Sequence, residues 1–330
     1  MIYLPVTMDS VRWLNYLGTK DMTEQPKVAV LIGCYNHEDF IIPCLESVLS
    51  QTYSKVDIYI ADDCSSDKTR DVIRNYIQKK DLRLHIIFNK ENKGISENYN
   101  SLIEKALKDS EVEYIIPFAG DDLMREDKIE RQVKALQAKP EVQLCYSNMK
   151  WFDSCTGKKI INHFNFIFKP TLSIDEIISD AIIPTPTLCI RRKALEVVRY
   201  NNALRYINDY LLSVELGILG NGVIYIDETL VFYRKHGSSI MDTKTFSEER
   251  RLAARIIIEK YGYIQAANRF SRTALYDEIL ESIYKKEITI FFKKTIFIFP
   301  CFFSSKKWFF RFLKLFYLIN RTFVTKKQKC

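Results

Sequence analysis

Two pairs of adjacent aspartates each follow an apolar run of the chain. Asp62-Asp63 comes after VDIYIA, and Asp121-Asp122 comes after YIIPFAG. Hard divalent cations such as Mg2+ and Mn2+ prefer oxygen ligands, commonly one or two carboxylates together with substrate phosphates. A single acidic pair is weak support for a metal site because acidic turns are common. Two pairs in the same setting strengthen the prediction of a site for Mn2+ or Mg2+.

The segments around these aspartates alternate between strand and helix patterns. Continuous apolar, β-branched runs predict four strands, at residues 27–34, 56–61, 84–88 and 114–118. Apolar residues at helical spacing predict helices between them, at residues 41–49, 69–79 and about 96–108. This alternation is typical of βαβ crossovers and predicts a mainly parallel sheet flanked by helices.

Polar loops follow all four predicted strands. They read YNH, DDCSSD, NKENKG and GDD in chain order. The carboxyl ends of parallel strands meet at one edge of a sheet, and ligands bind beyond that edge. Ordinary turn and cap residues would explain one such loop, but four at one edge favour a binding site. The chain has neither a P-loop nor a GxGxxG fingerprint, so glycine cradles for phosphate are excluded.

Composition indicates a folded chain with an unusual C-terminal segment. The 330 residues are 47% hydrophobic and 27% charged, which excludes a disordered chain. The net charge of +8 is unevenly spread, because residues 285–330 hold twelve Lys or Arg and one acid. The remaining 284 residues carry a net charge of −3. The basic character therefore belongs to the C-terminal segment.

Cysteines and the N-terminus indicate the compartment. The eight cysteines form no CxxC pair and do not lie at zinc-ligand spacing with the four histidines. We therefore expect reduced thiols. The first 26 residues lack the basic start, apolar core and cleavage site of a signal peptide. No stretch reaches the roughly 18 uncharged apolar residues of a spanning helix, so we expect a soluble or peripheral protein.

Four segments resemble those of a known family. They are VAVLIGCYNHEDFIIPCLESVLSQTY, IYIADDCSSDKT, NKGISENYN and IIPFAGDDLMREDKIERQV. In order, spacing and flanking residues they resemble the family 2 glycosyltransferases, which use nucleotide-sugar donors. The resemblance is tight over residues 27–152 and looser to about residue 240. It implies the α/β GT-A fold, with a mainly parallel central sheet flanked by helices, followed here by a C-terminal helical extension.

The resemblance implies a donor site at the strand ends. Gly33, Cys34 and Tyr35 would contact the nucleotide base, and Asp63 would accept a hydrogen bond from a ring N–H of that base. The loop after the third strand would border the nucleotide through four residues: Asn92, Lys93, Gly94 and Asn98. Asp122 would bind the metal that bridges the diphosphate, and Asp121 would contact the ribose or the sugar.

The resemblance also implies a general base and a second metal contact. The matching segment for the base, residues 204–212, reads LRYINDYLL, which makes Asp209 the base. Asn208 replaces the glutamate usual in the family, which leaves the base in place but removes one carboxylate. His236, in FYRKHGSS, would approach the metal and the diphosphate, although a lone histidine is more often structural. Residues 184–187 are expected to border the acceptor cleft.

Together these roles predict a metal-dependent, inverting glycosyltransferase. A carboxylate opposite the leaving group takes the acceptor proton, and a metal stabilises the departing diphosphate. The expected donor is a UDP-sugar and the expected acceptor a lipid-linked or growing surface glycan. A nucleotidyltransferase and a non-catalytic sugar-binding or assembly subunit are the alternatives. A nucleotidyltransferase would release pyrophosphate, and the joint presence of Asp63, Asp122 and Asp209 argues against a non-catalytic subunit.

The C-terminal tail predicts a membrane contact. Basic residues Lys307, Arg311, Lys314 and Arg321 fall on one helical stripe beside bulky apolar groups. This profile is typical of a helix lying in a membrane interface, although a helix docked on the protein or on a second copy is an alternative. Phe and Leu outnumber the polar side chains of residues 307–321 that could bind nucleic-acid bases, so no nucleic-acid partner is expected. We expect a cytoplasmic protein held peripherally at the inner face of the cell membrane.

The resulting division of the chain has four parts. Residues 1–26 form an N-terminal extension, and residues 27–240 form the GT-A domain. Within that domain, 27–152 would bind the nucleotide sugar and 153–240 would supply the acceptor side and the base. Residues 241–287 form a helical segment, and residues 288–330 form the basic aromatic tail.

Overall fold

Four parallel strands of the first half pair in the order β3-β2-β1-β4. The strands are β1 (Lys27–Cys34), β2 (Val56–Asp62), β3 (His85–Phe88) and β4 (Val112–Ala119), and the connecting helices are α1 (Ile41–Leu49), α2 (Thr69–Lys80) and α3 (Ile95–Ala106). This computed structural model describes residues 25–153, 159–160, 171–180, 183–236 and 246–284. The predicted alternation of strands and helices is confirmed.

The apolar run of β1 is buried on both faces of the sheet. Val28, Val30 and Ile32 belong to one hydrophobic core, and Ala29 and Leu31 belong to the other. Successive side chains of a strand point to opposite faces, so a strand covered on both sides must be apolar throughout. This explains why KVAVLIGC shows no polar alternation.

The strand order creates a crevice between β1 and β4. From β1 the chain moves outward through β2 to β3, and then returns to place β4 on the other side of β1. Ligands of open α/β sheets bind at such a reversal, beyond the carboxyl ends of the strands. The loops that start at Tyr35 and Gly120 flank this crevice.

The second half of the sheet is mixed. β9 (Leu188–Arg191) pairs antiparallel with β4, and β6 (Leu144–Asp153), β10 (Val223–Lys235) and β5 (Leu123–Met124) follow in that order. β7 (Lys159–Ile160) pairs with β6, and β8 (Thr171–Leu172) pairs with β10. The sheet therefore has a parallel half that precedes the crevice and a mixed half beyond it.

The short strand β5 connects the acidic pair to the end of β10. Met124 lies opposite Val231, and Leu123 lies opposite Phe232, in an antiparallel pairing. β5 begins directly after Asp122, and β10 runs on to Lys235. This pairing brings the end of β10 to the acidic loop across more than 100 residues of sequence.

The remaining helices pack on the sheet, including its mixed half. They are α4 (Lys128–Gln137), α5 (Ile174–Asp180), a 3-10 helix (Thr185–Thr187), α6 (Ala194–Val197), α7 (Asn208–Leu219), α8 (Ser247–Tyr261) and α9 (Ile264–Tyr284). Ala253, Ile257 and Phe270 of α8 and α9 pack in the same core as Leu31 of β1. The C-terminal helices therefore share a core with the strands. None of the helices in the described ranges has the length and apolar character needed to cross a bilayer.

Candidate active site

The loops after β1 and β2 form one rim of the crevice. Asn36 has a positive φ of 56°, and its backbone N–H donates to Ser65 Oγ at 2.8 Å. The N–H of Ser66 donates back to Asn36 Oδ1 at 2.8 Å, and that of His37 donates to Thr69 Oγ1 at 2.8 Å. Because each loop uses side chains of the other, the two loops are held in a fixed arrangement.

Of the first acidic pair, Asp62 is structural and Asp63 joins two loops. Asp62 is fully buried and ion-paired with Arg70. Asp63 accepts the backbone N–H of Lys93 at 2.8 Å, that of Gly94 at 2.8 Å and the Asn89 side chain at 3.0 Å. A carboxylate offers about four acceptor positions, so these bonds leave one on Oδ2. The predicted contact between Asp63 and a base N–H would use that position.

The four predicted donor-site residues after β3 differ in their exposure to solvent. Asn92 and Lys93 are exposed, and Gly94 has a positive φ of 84°, which glycine adopts without strain. Asn98 is only 4% exposed, donates to the Ala61 carbonyl at 3.2 Å and accepts from Asn89 at 2.9 Å. These two bonds use one N–H and one acceptor position of the amide, so the predicted contact between Asn98 and the nucleotide would need the second of either and stays a prediction.

The end of β1 offers one exposed side chain. A Cβ on Gly33 would lie 3.1 Å from Tyr99 Cζ, so this position packs tightly against that ring. Cys34 is buried, and burial raises the pKa of its thiol well above the usual value. The Gly33 and Cys34 carbonyls accept N–H groups of Gly120 and Asp63, both at 2.9 Å. Tyr35 is 45% exposed, so its side chain is the one available to a ligand among the three.

The second acidic pair divides into a buried and an accessible carboxylate. Asp122 is fully buried, and its Oδ1 accepts the backbone N–H of Arg234 at 2.9 Å. Asp121 Oδ2 lies 3.0 Å from His236 Nε2 and 3.9 Å from His37 Nε2. Burial opposes ionisation of Asp121, but the hydrogen bond with His236 and the charges of both imidazoles hold its pKa below the usual value.

The prediction that Asp122 binds the metal while Asp121 contacts the ribose or sugar stays a prediction, because Asp122 Oδ2 is buried without a hydrogen-bond partner among the described residues and is the oxygen a cation would use. The Asp122 side chain has no exposed surface, and one of its oxygens is committed to the end of β10. Asp121 is the carboxylate that reaches the imidazole of His236, the other predicted metal contact. The sequence does not indicate which of the two adjacent carboxylates is accessible, because their exposure depends on the backbone conformation directly after β4.

Aromatic rings and an arginine surround this carboxylate. Arg234 Nε donates to the Asp121 carbonyl at 2.7 Å. Its guanidinium carbon lies 5.0 Å from the centre of the Phe40 ring and 4.6 Å from that of Phe152. The Phe40 ring centre is also 4.8 Å from that of His236. These contacts fix the end of β10 over the acidic loop.

Asp121 and His236 fit a divalent cation as two of its ligands. A carboxylate oxygen and an imidazole nitrogen are common donors, and Mg2+ usually takes one or two carboxylates with water and phosphates. No group of three or more such side chains with metal-site geometry occurs among the described residues. A cation here would therefore need ligands from substrate and water.

Asp209 lies in the first turn of α7 with a desolvated carboxyl group. Its Oδ1 accepts the N–H of Tyr210 at 2.8 Å, and the backbone N–H of Thr185 also donates to it. Burial raises the pKa of Asp209 to about 6 despite these two bonds. Thr185 lies in the 184–187 segment, so that segment borders the predicted base, as expected for the acceptor side.

Two buried polar side chains of α4 fix the segment that contains Thr185. Gln132 Nε2 donates to the Thr187 carbonyl at 2.7 Å. Lys128 Nζ donates to Gln132 Oε1 at 2.6 Å and to the Leu188 carbonyl at 3.4 Å. Burial lowers the pKa of Lys128 to about 8. The donor to Asp209 therefore sits on a backbone held by two side chains.

Asn208, the residue beside the predicted base, is structural. It is 4% exposed and donates to Ser96 Oγ at 2.8 Å, and Ser96 in turn donates to the Leu204 carbonyl at 3.0 Å. This chain of bonds ties α7 to α3. The glutamate usual at position 208 would place a charged carboxylate in this buried position, next to the Ser96 hydroxyl.

Sequence reasoning missed Phe40 and assigned no individual contact to three further residues that the structure places at the site: His37, Thr185 and Arg234. His37 lies in the YNH loop after the first strand, so its position was a usable signal. Thr185 acts through its backbone, which no residue type could have indicated. Phe40 belongs to the turn before α1 and resembles an ordinary apolar residue.

Comparisons with known proteins identify the family of this chain. The sequence profile of Glycosyl transferase family 2 matches residues 29–199, more than half of the chain. The putative teichuronic acid biosynthesis glycosyltransferase TuaG of Bacillus subtilis (strain 168) is 27% identical over 243 residues, which are 73% of this chain and 92% of TuaG. The Escherichia coli enzyme WfaP, a UDP-Glc:alpha-D-GlcNAc-diphosphoundecaprenol beta-1,3-glucosyltransferase, is 29% identical over 219 residues, 66% of this chain and 80% of WfaP.

A solved structure shows the same fold. Residues 1–349 of S. aureus TarS, in complex with UDP-GlcNAc, align with a TM-score of 0.62 over 81% of this chain and 79% of that chain. The identity is 18%, so this likeness concerns the fold alone. The predicted GT-A fold is thereby confirmed, with its curled sheet and flanking helices. The chain belongs to glycosyl transferase family 2 and is a glycosyltransferase.

Proposed function

We propose that this enzyme is a metal-dependent, inverting glycosyltransferase that moves a sugar from a UDP-sugar to a lipid-linked or growing surface glycan. The observation that carries the proposal is the pairing of Asp121 with His236 at the β1–β4 crevice, with the desolvated Asp209 at the first turn of α7. The names of WfaP and of the TarS complex support a UDP-sugar donor, and the WfaP name supports a lipid diphosphate acceptor. Inversion rests on the family resemblance.

Asp121 and His236 are the residues that would hold Mn2+ or Mg2+. When bound, a divalent cation supplies Lewis-acid stabilisation of the charge on a leaving diphosphate. The protein's own contribution is to fix the donor atoms before the ligand arrives. Arg234 holds these atoms in place through its bonds to Asp121 and Asp122. The Phe40 ring adds contacts with Arg234 and His236.

Asp209 would accept the proton of the acceptor hydroxyl. A general base works best when its pKa is near the working pH, and about 6 is closer to neutrality than the usual value of an aspartate. The Thr185 and Tyr210 N–H groups orient the carboxylate without protonating it. Sugar transfer therefore requires Asp209 in its ionised form.

The pH profile should show this requirement. Because the pKa of Asp209 is raised, the ionised form is lost as the pH falls through about 6. We expect kcat to fall about tenfold for each pH unit below that value. The measurement is the transfer rate between pH 4.5 and pH 8, approximately the range over which His and raised Asp groups titrate. Nucleotide-sugar binding over the same range is the control, and an acid limb that begins only near pH 4 would contradict the assignment.

The reaction type is tested by the leaving group. The enzyme is incubated with a panel of nucleotide sugars and a divalent cation, with undecaprenol-diphosphate-linked sugars as candidate acceptors. Release of nucleoside diphosphate with transfer of the sugar is expected. Release of pyrophosphate, or transfer that persists unchanged in EDTA, would contradict the proposal.

The C-terminal tail, residues 288–330, lies outside the described residues. We propose that it holds the enzyme at the inner face of the cell membrane, where a lipid-linked acceptor is anchored. The support is its sequence: basic residues on one stripe beside Phe, Leu and Trp, in a segment of strong positive charge. α9 extends to Tyr284, close to where this tail begins.

Removal of the tail should separate membrane binding from nucleotide binding. We expect the full chain to co-sediment with vesicles that contain anionic lipids, and a variant lacking residues 288–330 to stay in the supernatant. The truncated variant should keep its affinity for the nucleotide sugar, because the described site uses none of these residues. Co-sedimentation of the truncated variant would contradict the membrane role of the tail.

A further inference from the structure

The turn that leads into the predicted base is held by a carboxylate from another helix. Glu249, in the first turn of α8, accepts the backbone N–H of Arg205 on Oε1 at 3.0 Å. Its Oε2 accepts the N–H of Tyr206 at 2.9 Å and that of Ile207 at 3.1 Å. Asp209 follows two residues later. One side chain therefore binds three successive N–H groups directly before the base.

This contact holds the start of α7, which has no side-chain cap bond of its own. The N-cap residue, Ile207, makes no side-chain cap bond. Helices expose unpaired N–H groups and a partial positive charge at their first turn, and a carboxylate nearby stabilises both. Hydrogen bonds to an ionised acceptor are also stronger than neutral ones. A local Ser, Thr or Asp cap would bond the N–H of residue 209 or 210, whereas Glu249 binds the turn directly before the helix and, at Ile207, the N–H of the N-cap residue itself.

α8 is firmly seated, so Glu249 is a fixed acceptor. Ala253, Ala254 and Ile257 of α8 are buried in the core. At its other end, Lys260 Nζ and Tyr261 Oη donate to Glu215 of α7 at 2.8 and 2.9 Å. The two helices are therefore joined at both ends by polar contacts.

We propose that Glu249 is a positioning residue for Asp209, which sets the backbone on which the catalytic carboxylate is presented. The inference rests on the proposed function of Asp209 as the base. It adds a helix beyond the matched residues 29–199 to the catalytic apparatus. Asp209 also depends on the Thr185 N–H, so a shift of the 205–207 turn would move its carboxylate away from that donor. Displacements of about 1 Å can cost about a hundredfold in rate.

The test uses the full chain with Glu249→Ala, Glu249→Gln and the control Glu248→Gln. Glu248 is the exposed neighbour of Glu249 on the same turn of α8. We expect kcat to fall about 10- to 100-fold in Glu249→Ala, with the KM for the nucleotide sugar unchanged. Glu249→Gln keeps one carbonyl acceptor and should recover part of the rate, whereas Glu248→Gln should match the wild type.

Amide hydrogen exchange of residues 205–210 provides a readout that does not depend on activity. Exchange there should accelerate in Glu249→Ala, while exchange in β1 and β4 stays as in the wild type. The proposal would be overturned if exchange at 205–210 or kcat were unchanged in Glu249→Ala. It would also be overturned if kcat and donor affinity fell equally and exchange rose throughout the protein, because that would indicate general destabilisation. If the wild type transfers no sugar from any donor, the proposed function fails, and the exchange data still decide whether Glu249 holds the turn.

Discussion

Asp209→Asn is expected to lower the rate of sugar transfer by about 100- to 10,000-fold, while the enzyme still binds its nucleotide sugar. Asparagine has nearly the shape of aspartate, and its carbonyl oxygen can accept an N–H from Tyr210 or Thr185 as the carboxylate does. The fold of the first turn of α7 should therefore persist. What is lost is the group that can take a proton from the acceptor hydroxyl.

The measurement is kcat by nucleoside diphosphate release, combined with donor affinity by calorimetry. Asp71→Asn is a suitable control, because Asp71 is an exposed aspartate in the first turn of α2 whose side chain contacts Arg74. It should leave both quantities unchanged. Turnover near the wild-type level in Asp209→Asn would show that another group is the base.

Asp121→Asn and Asp122→Asn are expected to behave differently from one another. Asp121→Asn removes a charged ligand next to His236 and should weaken metal binding by at least about 10- to 100-fold, the usual cost of disturbing even an outer contact of a metal ligand. Asp122→Asn keeps a carbonyl oxygen that can accept the Arg234 N–H, so metal affinity should change little. Activity should follow the metal affinity.

Titration of nucleotide-sugar binding with Mn2+ in both variants and in the wild type distinguishes the two carboxylates. Far-ultraviolet circular dichroism confirms that each variant is folded. Loss of metal dependence in Asp122→Asn, with normal dependence in Asp121→Asn, would identify Asp122 as the metal ligand, as the family resemblance implies, and would contradict the proposed role of Asp121.

The parallel half of the sheet could be predicted from the sequence because each of its strands is a short apolar run with turn residues after it. KVAVLIGC is short and rich in β-branched residues, which favours a strand that is covered on both faces. The mixed half could not be predicted in the same way. Nothing local to Val231 or Met124 indicates that β10 and β5 pair, and this pairing helps to bring His236 to Asp121.

The sequence singled out the residues of the candidate site, but it did not indicate their burial or their contacts. Asp121 and His236 meet after the fourth strand, and Asp209 contacts the 184–187 segment. Asn98 is buried with both ends of its amide bonded, and Asp122 is buried with a bond to Oδ1 alone. Burial of a single polar residue depends on the twist at the end of a strand and on distant neighbours, which sequence spacing does not specify.

A thermal-shift titration of the full chain tests most directly whether a nucleotide sugar and a divalent cation bind together. UDP-sugars, GDP-sugars and other nucleotide sugars are each added with Mn2+ or with EDTA. A ligand at 100 times its Kd stabilises the folded state by about 2.7 kcal/mol, which is a measurable rise in Tm. We predict such a rise with a UDP-sugar and Mn2+, lost in EDTA and in Asp121→Asn but kept in Asp209→Asn. No rise with any nucleotide sugar, or an equal rise in EDTA, would contradict a metal-dependent nucleotide-sugar site in this protein.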